Sequence, residues 1–74
     1  MREVYVSINS MEKAKGLNSI LRRMDGDFDL IQGRMTIDGK SFLGILSLDL
    51  SKPIKMIMHD ADDTEVNELS EYLA

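Results

Sequence analysis

Along this 74-residue sequence, the apolar residues follow two alternating spacings, every second position and every third or fourth position. The first spacing is typical of half-buried strands, and the second is typical of helices that bury one face. In chain order, the segments predict strand, helix, strand, strand, helix, strand and helix. Because so short a chain can build only one core, we predict a single domain over residues 1–74 with an α+β fold. It would be an open-faced two-layer sandwich, a four-stranded antiparallel sheet with three helices on one face (βαββαβα).

The first half of the sequence predicts one strand, one helix and one hairpin. The strand is indicated by the alternating apolar residues Val4, Val6 and Ile8. Ser10 then offers an N-cap for a helix in which Gly16 costs about 1 kcal/mol relative to alanine. The apolar stripe of this helix comprises Met11, Ala14, Leu17, Ile20, Leu21 and Met24. Residues 27–38 then predict an antiparallel hairpin with a turn signal at Gln32-Gly33.

The second half predicts a short helix, a strand and a final helix. Ser41 is placed to cap the short helix, which runs from Phe42 to Leu48. The inward side of the strand comprises Ile54, Met56 and Met58. Asp62 is the predicted N-cap of the last helix. The core stripe of that helix comprises Val66, Leu69 and Leu73.

The short helix contains more apolar side chains than one buried face can hold. Ile45 and Leu48 lie three residues apart and can form the face that packs on the core. Phe42, Leu43 and Leu46 form a second stripe, and exposed apolar clusters usually mark contact sites. We therefore predict that this helix docks a protein partner, unless Phe42 and Leu43 fold under a neighbouring loop.

The composition excludes several classes of function. The chain has no cysteine and one histidine, His59, so thiolate metal sites, disulfides and paired-imidazole sites within one chain are excluded. The formal net charge is −4, whereas a nucleic-acid-binding surface needs a basic stripe. No apolar run reaches the roughly 20 residues of a membrane helix, and the N-terminus has no signal-peptide core. We therefore predict a cytoplasmic monomer or weak homodimer that uses no nucleic acid, membrane, metal or cofactor.

One segment of the sequence carries a specific motif. Residues 40–48 read Lys-Ser-Phe-Leu-Gly-Ile-Leu-Ser-Leu, which is Lys-Ser, two apolar residues, Gly, two apolar residues and Ser-Leu. This segment resembles the regulatory-serine region of HPr, the small phosphocarrier of the bacterial sugar phosphotransferase system. The chain length and the predicted order of elements also resemble that family, so the resemblance extends over the whole chain.

The resemblance implies both a fold and a site. The implied fold is the four-stranded antiparallel sheet with three helices that the apolar pattern also predicts. Ser41 falls where the family carries a serine that a regulatory kinase phosphorylates. The partners implied are phosphotransferase-system or regulatory proteins. The residues that would contact them are Lys40, Ser41, Phe42, Leu43 and Leu46.

The resemblance fails at the position that carries the family's phosphocarrier chemistry. The family's active histidine lies within Gly-Leu-His-Ala-Arg-Pro-Ala, at the start of the first helix. Here residues 8–17 contain no histidine, arginine or proline, and Asn9 and Ser10 lie nearest the place of the missing imidazole. His59 follows the fourth strand instead. We therefore expect no enzyme, but an HPr-like regulatory or protein-interaction module that has lost the phosphocarrier histidine.

Two other chemistries are weaker interpretations of the same sequence. A non-histidine residue such as Ser10 could relay a phosphoryl group, although a serine without a neighbouring base is a poor relay and a good N-cap. The segment from His59 to Asp63 could bind a metal ion, since imidazole and carboxylates suit zinc or manganese. Acidic residues also favour the start of a helix, however, which explains that segment without a metal.

Basic residues form two further candidates. Arg34 and Lys40 would lie near the regulatory serine, where they could attract an acidic partner or a phosphoserine. Arg22 and Arg23 could hold a phosphate beside the first helix, although two basic residues on a helix usually face solvent. Residues 59–74 contain six acidic residues and no lysine or arginine, which indicates a solvated acidic helix face.

Overall fold

The computed structural model describes residues 1–60 and 63–74, and its elements follow the predicted order. The strands are β1 (Arg2–Val6), β2 (Phe28–Gln32), β3 (Met35–Asp38) and β4 (Ile54–Met58). The helices are α1 (Met11–Arg23), α2 (Phe42–Leu46) and α3 (Asp63–Glu68), followed by a 3₁₀ turn (Ser70–Tyr72). One antiparallel sheet has the strand order β1-β4-β2-β3. The predicted α+β fold is confirmed, whereas the predicted N-cap Asp62 lies outside the described residues.

One face of the sheet packs against the helices, and the other face is open. Val4 and Leu30 both pair with Met56, and Ile37 pairs with Leu30, so these four side chains lie in one row across the sheet. This row belongs to the face that carries the buried strand residues. The opposite face carries polar side chains, the exposed Tyr5 and, in the two central strands, the half-buried Ile31 and Ile57.

The core lies between the covered sheet face and the helices. α1 contributes Ala14, Leu17 and Leu21, which are spaced three and four residues apart. α2 contributes Ile45, and the C-terminal segment contributes Leu69. The fully buried strand side chains are Val6, Phe28, Leu30, Ile54, Met56 and Met58. Within residues 1–60 and 63–74, no helix has the length and apolar character needed to cross a membrane.

Three apolar residues differ from their predicted element or their predicted burial. Ile8 is buried, but β1 ends two residues earlier, so Ile8 belongs to the loop before α1. Met11 is 53% exposed, because the buried stripe of α1 begins only at Ala14. α2 ends at Leu46, although Leu48 still packs in the core from the segment that follows.

The β2–β3 hairpin turns at Gly33 and Arg34, one residue later than the predicted turn signal. Gln32 is the last residue of β2 and pairs with Met35, which leaves a two-residue loop. Gly33 has a φ of 59°, whereas the φ of Arg34 is not positive. This combination is typical of a type II′ turn, in which glycine takes the first central position.

The C-terminal segment leaves the helical path earlier than the apolar spacing predicts. α3 ends at Glu68, and the 3₁₀ turn that follows buries Tyr72 in place of the predicted Leu73. Leu73 is 37% exposed, because it pairs with Val6 as a short bridge along the edge of β1. Backbone hydrogen bonds on either side of this bridge hold the C-terminal residues against β1.

Gly16 makes room for Tyr72 on the side of α1. In the sequence, this glycine is only a weakness of the helix, but an added Cβ would collide with the Tyr72 hydroxyl and lie 3.2 Å from Cζ. The missing side chain therefore allows the aromatic ring to lie directly against the helix. Burial raises the pKa of the Tyr72 phenol above its ordinary value, and the neighbouring Glu71 adds to the shift.

We expect Gly16→Ala to destabilise the protein by about 1–3 kcal/mol, because overpacking against Tyr72 outweighs a gain of about 1 kcal/mol in helix propensity. The free energy of unfolding is measured by urea titration. The double variant Gly16→Ala/Tyr72→Phe removes the colliding hydroxyl and should recover part of the loss. A stabilising effect of Gly16→Ala alone would show that the close contact is unimportant.

The raised pKa of Tyr72 makes the stability depend on pH in the alkaline range. Below the ordinary phenol pKa of about 10, both states are protonated; above it, the unfolded state ionises first, and the free energy of unfolding falls. We expect this fall, measured by urea titration at about pH 8 and about pH 10.5, to be smaller in Tyr72→Phe than in the native sequence. Tyr5→Phe removes an exposed phenol and should leave the fall unchanged. Equal falls in all three proteins would contradict the role of Tyr72.

Candidate functional site

The turn between β3 and α2 determines where the candidate regulatory serine lies. Asp38 closes this turn, since its Oδ1 accepts from the Lys40 N–H (2.9 Å) and its carbonyl accepts from the Ser41 N–H (2.9 Å). The Ser41 Oγ then accepts from the Gly44 N–H (3.1 Å), and the Ser41 carbonyl accepts from the Ile45 N–H (3.0 Å). The predicted N-cap role of Ser41 is confirmed.

α2 is held on the sheet by one buried side chain and one close backbone contact. Ile45 is fully buried. A Cβ added to Gly44 would collide with the γ2-methyl group of Ile37, so the helix backbone lies directly on β3. Beyond the helix, the Gln32 amide donates to the Asp49 carbonyl (2.8 Å), and its side-chain oxygen accepts from the Asp49 N–H (2.8 Å). These contacts hold α2 on β3 and hold the segment after α2 on β2. They leave the side of α2 that faces away from the sheet uncovered.

Two leucines on the outer side of α2 form what we call the α2 surface. Leu43 is 80% exposed and Leu46 is 36% exposed, and their spacing of three residues places them on the same side of the helix. Phe42, the third residue of the predicted stripe, is half-buried and packs against the core. The predicted exposed stripe is therefore correct for Leu43 and Leu46, which contact solvent, but not for Phe42, whose ring packs at the edge of the core.

The two basic residues predicted to lie near Ser41 have other positions. The Lys40 Nζ donates to the Met24 carbonyl (2.8 Å) after α1 and lies 5.7 Å from the centre of the Phe28 ring. Arg34 lies in the hairpin turn, and β3 separates it from the turn before α2 by about 13 Å. The prediction that both residues flank Ser41 is therefore wrong for Arg34, and the Lys40 ammonium is bound to the end of α1.

Asn18 is a structural determinant of this region that the sequence analysis missed. It is only 5% exposed, and its Nδ2 donates to the Gly39 carbonyl (3.1 Å). The Gly39 N–H donates in turn to the Phe28 carbonyl (2.7 Å). The available signal was an asparagine inside an apolar helix stripe, between Leu17 and Leu21. Asn18 thus connects α1 to the turn that positions Ser41.

Asn9 and Ser10 lie at the opposite end of the sheet from Ser41. They follow the end of β1 that pairs with the start of β4, whereas Ser41 follows the end of β3 that lies nearest the end of β4. The Ser10 Oγ accepts from the Lys13 N–H (3.1 Å), so its N-cap role is confirmed. The structure therefore does not bring Asn9 and Ser10 together with Ser41.

His59 lies far from Asn9 and Ser10. Its Nε2 is 2.8 Å from the Asp29 Oδ2, and the length of β4 separates it by about 17 Å from the sheet end that precedes Ser10. Within the residues that the structure describes, no three histidine, aspartate or glutamate side chains form a group that could hold a metal ion. Part of the predicted metal segment, including Asp62, lies outside those residues.

Comparisons with protein-family models, with curated proteins and with solved structures find no match to this chain. The function is therefore argued from the fold, the motif and the α2 surface. These three features meet at one place, because the motif at residues 40–48 contains both Ser41 and the two exposed leucines.

We expect Ser41→Ala to lower the free energy of unfolding by about 1 kcal/mol, because the Gly44 N–H loses its acceptor at the helix start. Urea titration followed by circular dichroism measures the change. Ser19→Ala is the matched control, since Ser19 is exposed within α1 and alanine favours helices, so no loss is expected there. Equal losses in both variants would contradict the capping role of Ser41.

Proposed function

We propose that this chain is an HPr-like regulatory or protein-interaction module that lacks the phosphocarrier histidine. It acts in the cytoplasm, binds a protein partner through the α2 surface and uses Ser41 as a phosphorylation site. The observation that carries the proposal is the exposure of Leu43 and Leu46 on a helix that begins at a capping serine.

The fold supports this proposal, because it agrees with what the resemblance implies. The order βαββαβα and the single antiparallel sheet are those expected for an HPr-like chain. Within the motif, Gly44 and Ile45 hold α2 against β3 and the core, whereas Leu43 and Leu46 face outward. The motif residues therefore divide into those that position the helix and those that it exposes to a partner.

The α2 surface offers enough apolar area for a contact of moderate strength. Burying one leucine side chain contributes about 1.5–3 kcal/mol. A partner that covers Leu43 and completes the burial of Leu46 would gain most of this from Leu43, which is the more exposed of the two. The partner proposed is a phosphotransferase-system or regulatory protein with an apolar recess that accepts these leucines.

Phosphorylation of Ser41 would change this contact through charge. A phosphoserine carries about −1.5 to −2 charges at pH 7, and the start of α2 tolerates negative charge. An apolar partner surface that covers the neighbouring leucines would have to remove water from the phosphate, which is unfavourable. Phosphorylation is therefore expected to weaken docking, which makes Ser41 a switch for the α2 surface.

The phosphorylation site is tested by incubating the protein with a bacterial HPr serine kinase and ATP, followed by digestion and mass spectrometry. We expect phosphate on Ser41 and none in the variant Ser41→Ala. Ser47 is the internal control, because it is an exposed serine at the other end of α2. Phosphate on Ser47, or no phosphate at all, would remove Ser41 as the switch without removing the docking surface.

The docking surface is tested by comparing proteins captured from cells by the native chain, by Leu43→Asp/Leu46→Asp and by Tyr5→Asp. All three positions are exposed, so each variant should keep its fold by circular dichroism. We expect the leucine variant to lose a partner by at least about tenfold, since burying one leucine exceeds 1.4 kcal/mol. Tyr5→Asp, on the open sheet face, should retain it. Equal capture by all three proteins would reject the α2 surface.

A further inference from the structure

A groove runs along the seam between α1 and the C-terminal segment, and no residue of α2 lines it. Its central cavity has a volume of about 460 Å³. The residues that line this cavity are Gly16, Ser19, Ile20, Arg22, Arg23 and Tyr72. An adjoining cavity of about 380 Å³ shares Ile20 and Arg23, and adds Met24 and Glu68.

The periodicity of α1 explains why these residues line one groove. Gly16, Ser19 and Arg23 are spaced three and four residues apart, which places them along one side of the helix. Gly16 contributes no side chain, so the Tyr72 ring lies close to the helix and forms the facing wall. The groove is therefore a consequence of the same close contact that allows the C-terminal segment to pack on α1.

The polar side chains of the central cavity are guanidinium and hydroxyl groups. Two guanidinium groups, from Arg22 and Arg23, and two hydroxyl groups, from Ser19 and Tyr72, line it. No carboxylate of residues 1–60 or 64–74 lines this cavity, and neither arginine forms an ion pair in the described chain. The cavity thus carries two positive charges without an ion-pair partner among the described residues, although the whole chain is acidic.

The end of α1 does not require these two charges. Basic residues in a last helical turn commonly compensate the partial negative charge of the helix end. Here the Lys40 ammonium donates to the Met24 carbonyl (2.8 Å), and the Met24 N–H donates to the Leu21 carbonyl (3.2 Å). A separate cation therefore already stabilises the helix end, which leaves both guanidinium groups for a ligand.

From this geometry we propose that the central cavity binds a phosphate group, either as inorganic phosphate or as part of a small phosphate monoester. A phosphate monoester carries about −1.5 to −2 charges near pH 7, which two arginines neutralise, and the guanidinium fork matches phosphate oxygens. The Ser19 hydroxyl group supplies a further donor. The half-buried Ile20 and Met24, which line the adjoining cavity, would contact the carbon part of a monoester.

The Tyr72 side chain contributes a wall of this site and not a donor. Its ring lies against α1 at Gly16, and its hydroxyl group is hydrogen-bonded to the Glu71 carboxylate. The proposed site shares no residue with the α2 surface and does not include Ser41. Its phosphate belongs to a bound ligand, whereas the phosphate proposed for Ser41 is attached to the protein.

The proposal is tested by titrating the ¹⁵N-labelled chain with inorganic phosphate and with phenyl phosphate, at constant ionic strength maintained with sodium chloride. We expect saturable shifts of the amide signals of Gly16, Ser19 and Tyr72, and no saturation with acetate. Tighter binding of phenyl phosphate would identify a monoester as the preferred ligand, and equal or tighter binding of inorganic phosphate would identify the free ion. Shifts that do not saturate with either probe would overturn the proposal.

Charge variants on α1 separate a specific site from general attraction. Arg22→Gln and Arg23→Gln should each weaken binding by about tenfold or more, since each removes a hydrogen bond to a charged group. Lys15→Gln is the matched control, because it removes the same charge from the same helix but lines none of these cavities. Glu68→Gln should tighten binding by removing a carboxylate beside Arg23. Equal weakening by the lysine and arginine variants, or weaker binding by Glu68→Gln, would overturn the site.

Discussion

The buried hydrogen bond from Asn18 to the Gly39 carbonyl is the constraint on which the arrangement of the helices depends. Burying a polar side chain is unfavourable unless its hydrogen bonds are made. The buried Asn18 side chain therefore restricts the position of α1 relative to the turn before α2. Lys40, the next residue of that turn, binds the carbonyl of Met24 after α1. Two hydrogen bonds that run in opposite directions, one from the Asn18 amide to the turn and one from the Lys40 ammonium to the end of α1, therefore join α1 to the turn that carries Ser41.

Close contact at glycines lets a small chain cover one sheet face with three helices. Gly16 accommodates Tyr72 and Gly44 accommodates Ile37, so α1 and α2 approach their neighbours without an intervening side chain. The consequences differ at the two places. On α1, the close contact produces a groove lined by arginines, whereas on α2 it anchors a helix so short that Leu43 remains exposed.

The parts of the structure that local chemistry controls could be predicted from the sequence. The alternating apolar spacings predicted the order of elements, and Ser10 and Ser41 were correctly predicted as N-caps because capping involves residues three positions apart. The candidate site was predicted in part, since Leu43 is exposed but Phe42 packs against the core. Arg34 was misplaced because proximity in sequence was taken for proximity in space across β3.

The sequence by itself determined the number, type and order of the elements, because apolar period and capping residues act over a few positions along the chain. It also determined that no histidine stands near Ser10 along the chain. Only the tertiary structure decided that Tyr72 and not Leu73 is buried, and that Asn18 bonds the turn before Ser41. It also decided that Arg22 and Arg23 line a shared cavity. These outcomes depend on which surfaces meet, and residues distant in sequence meet only once the chain has folded.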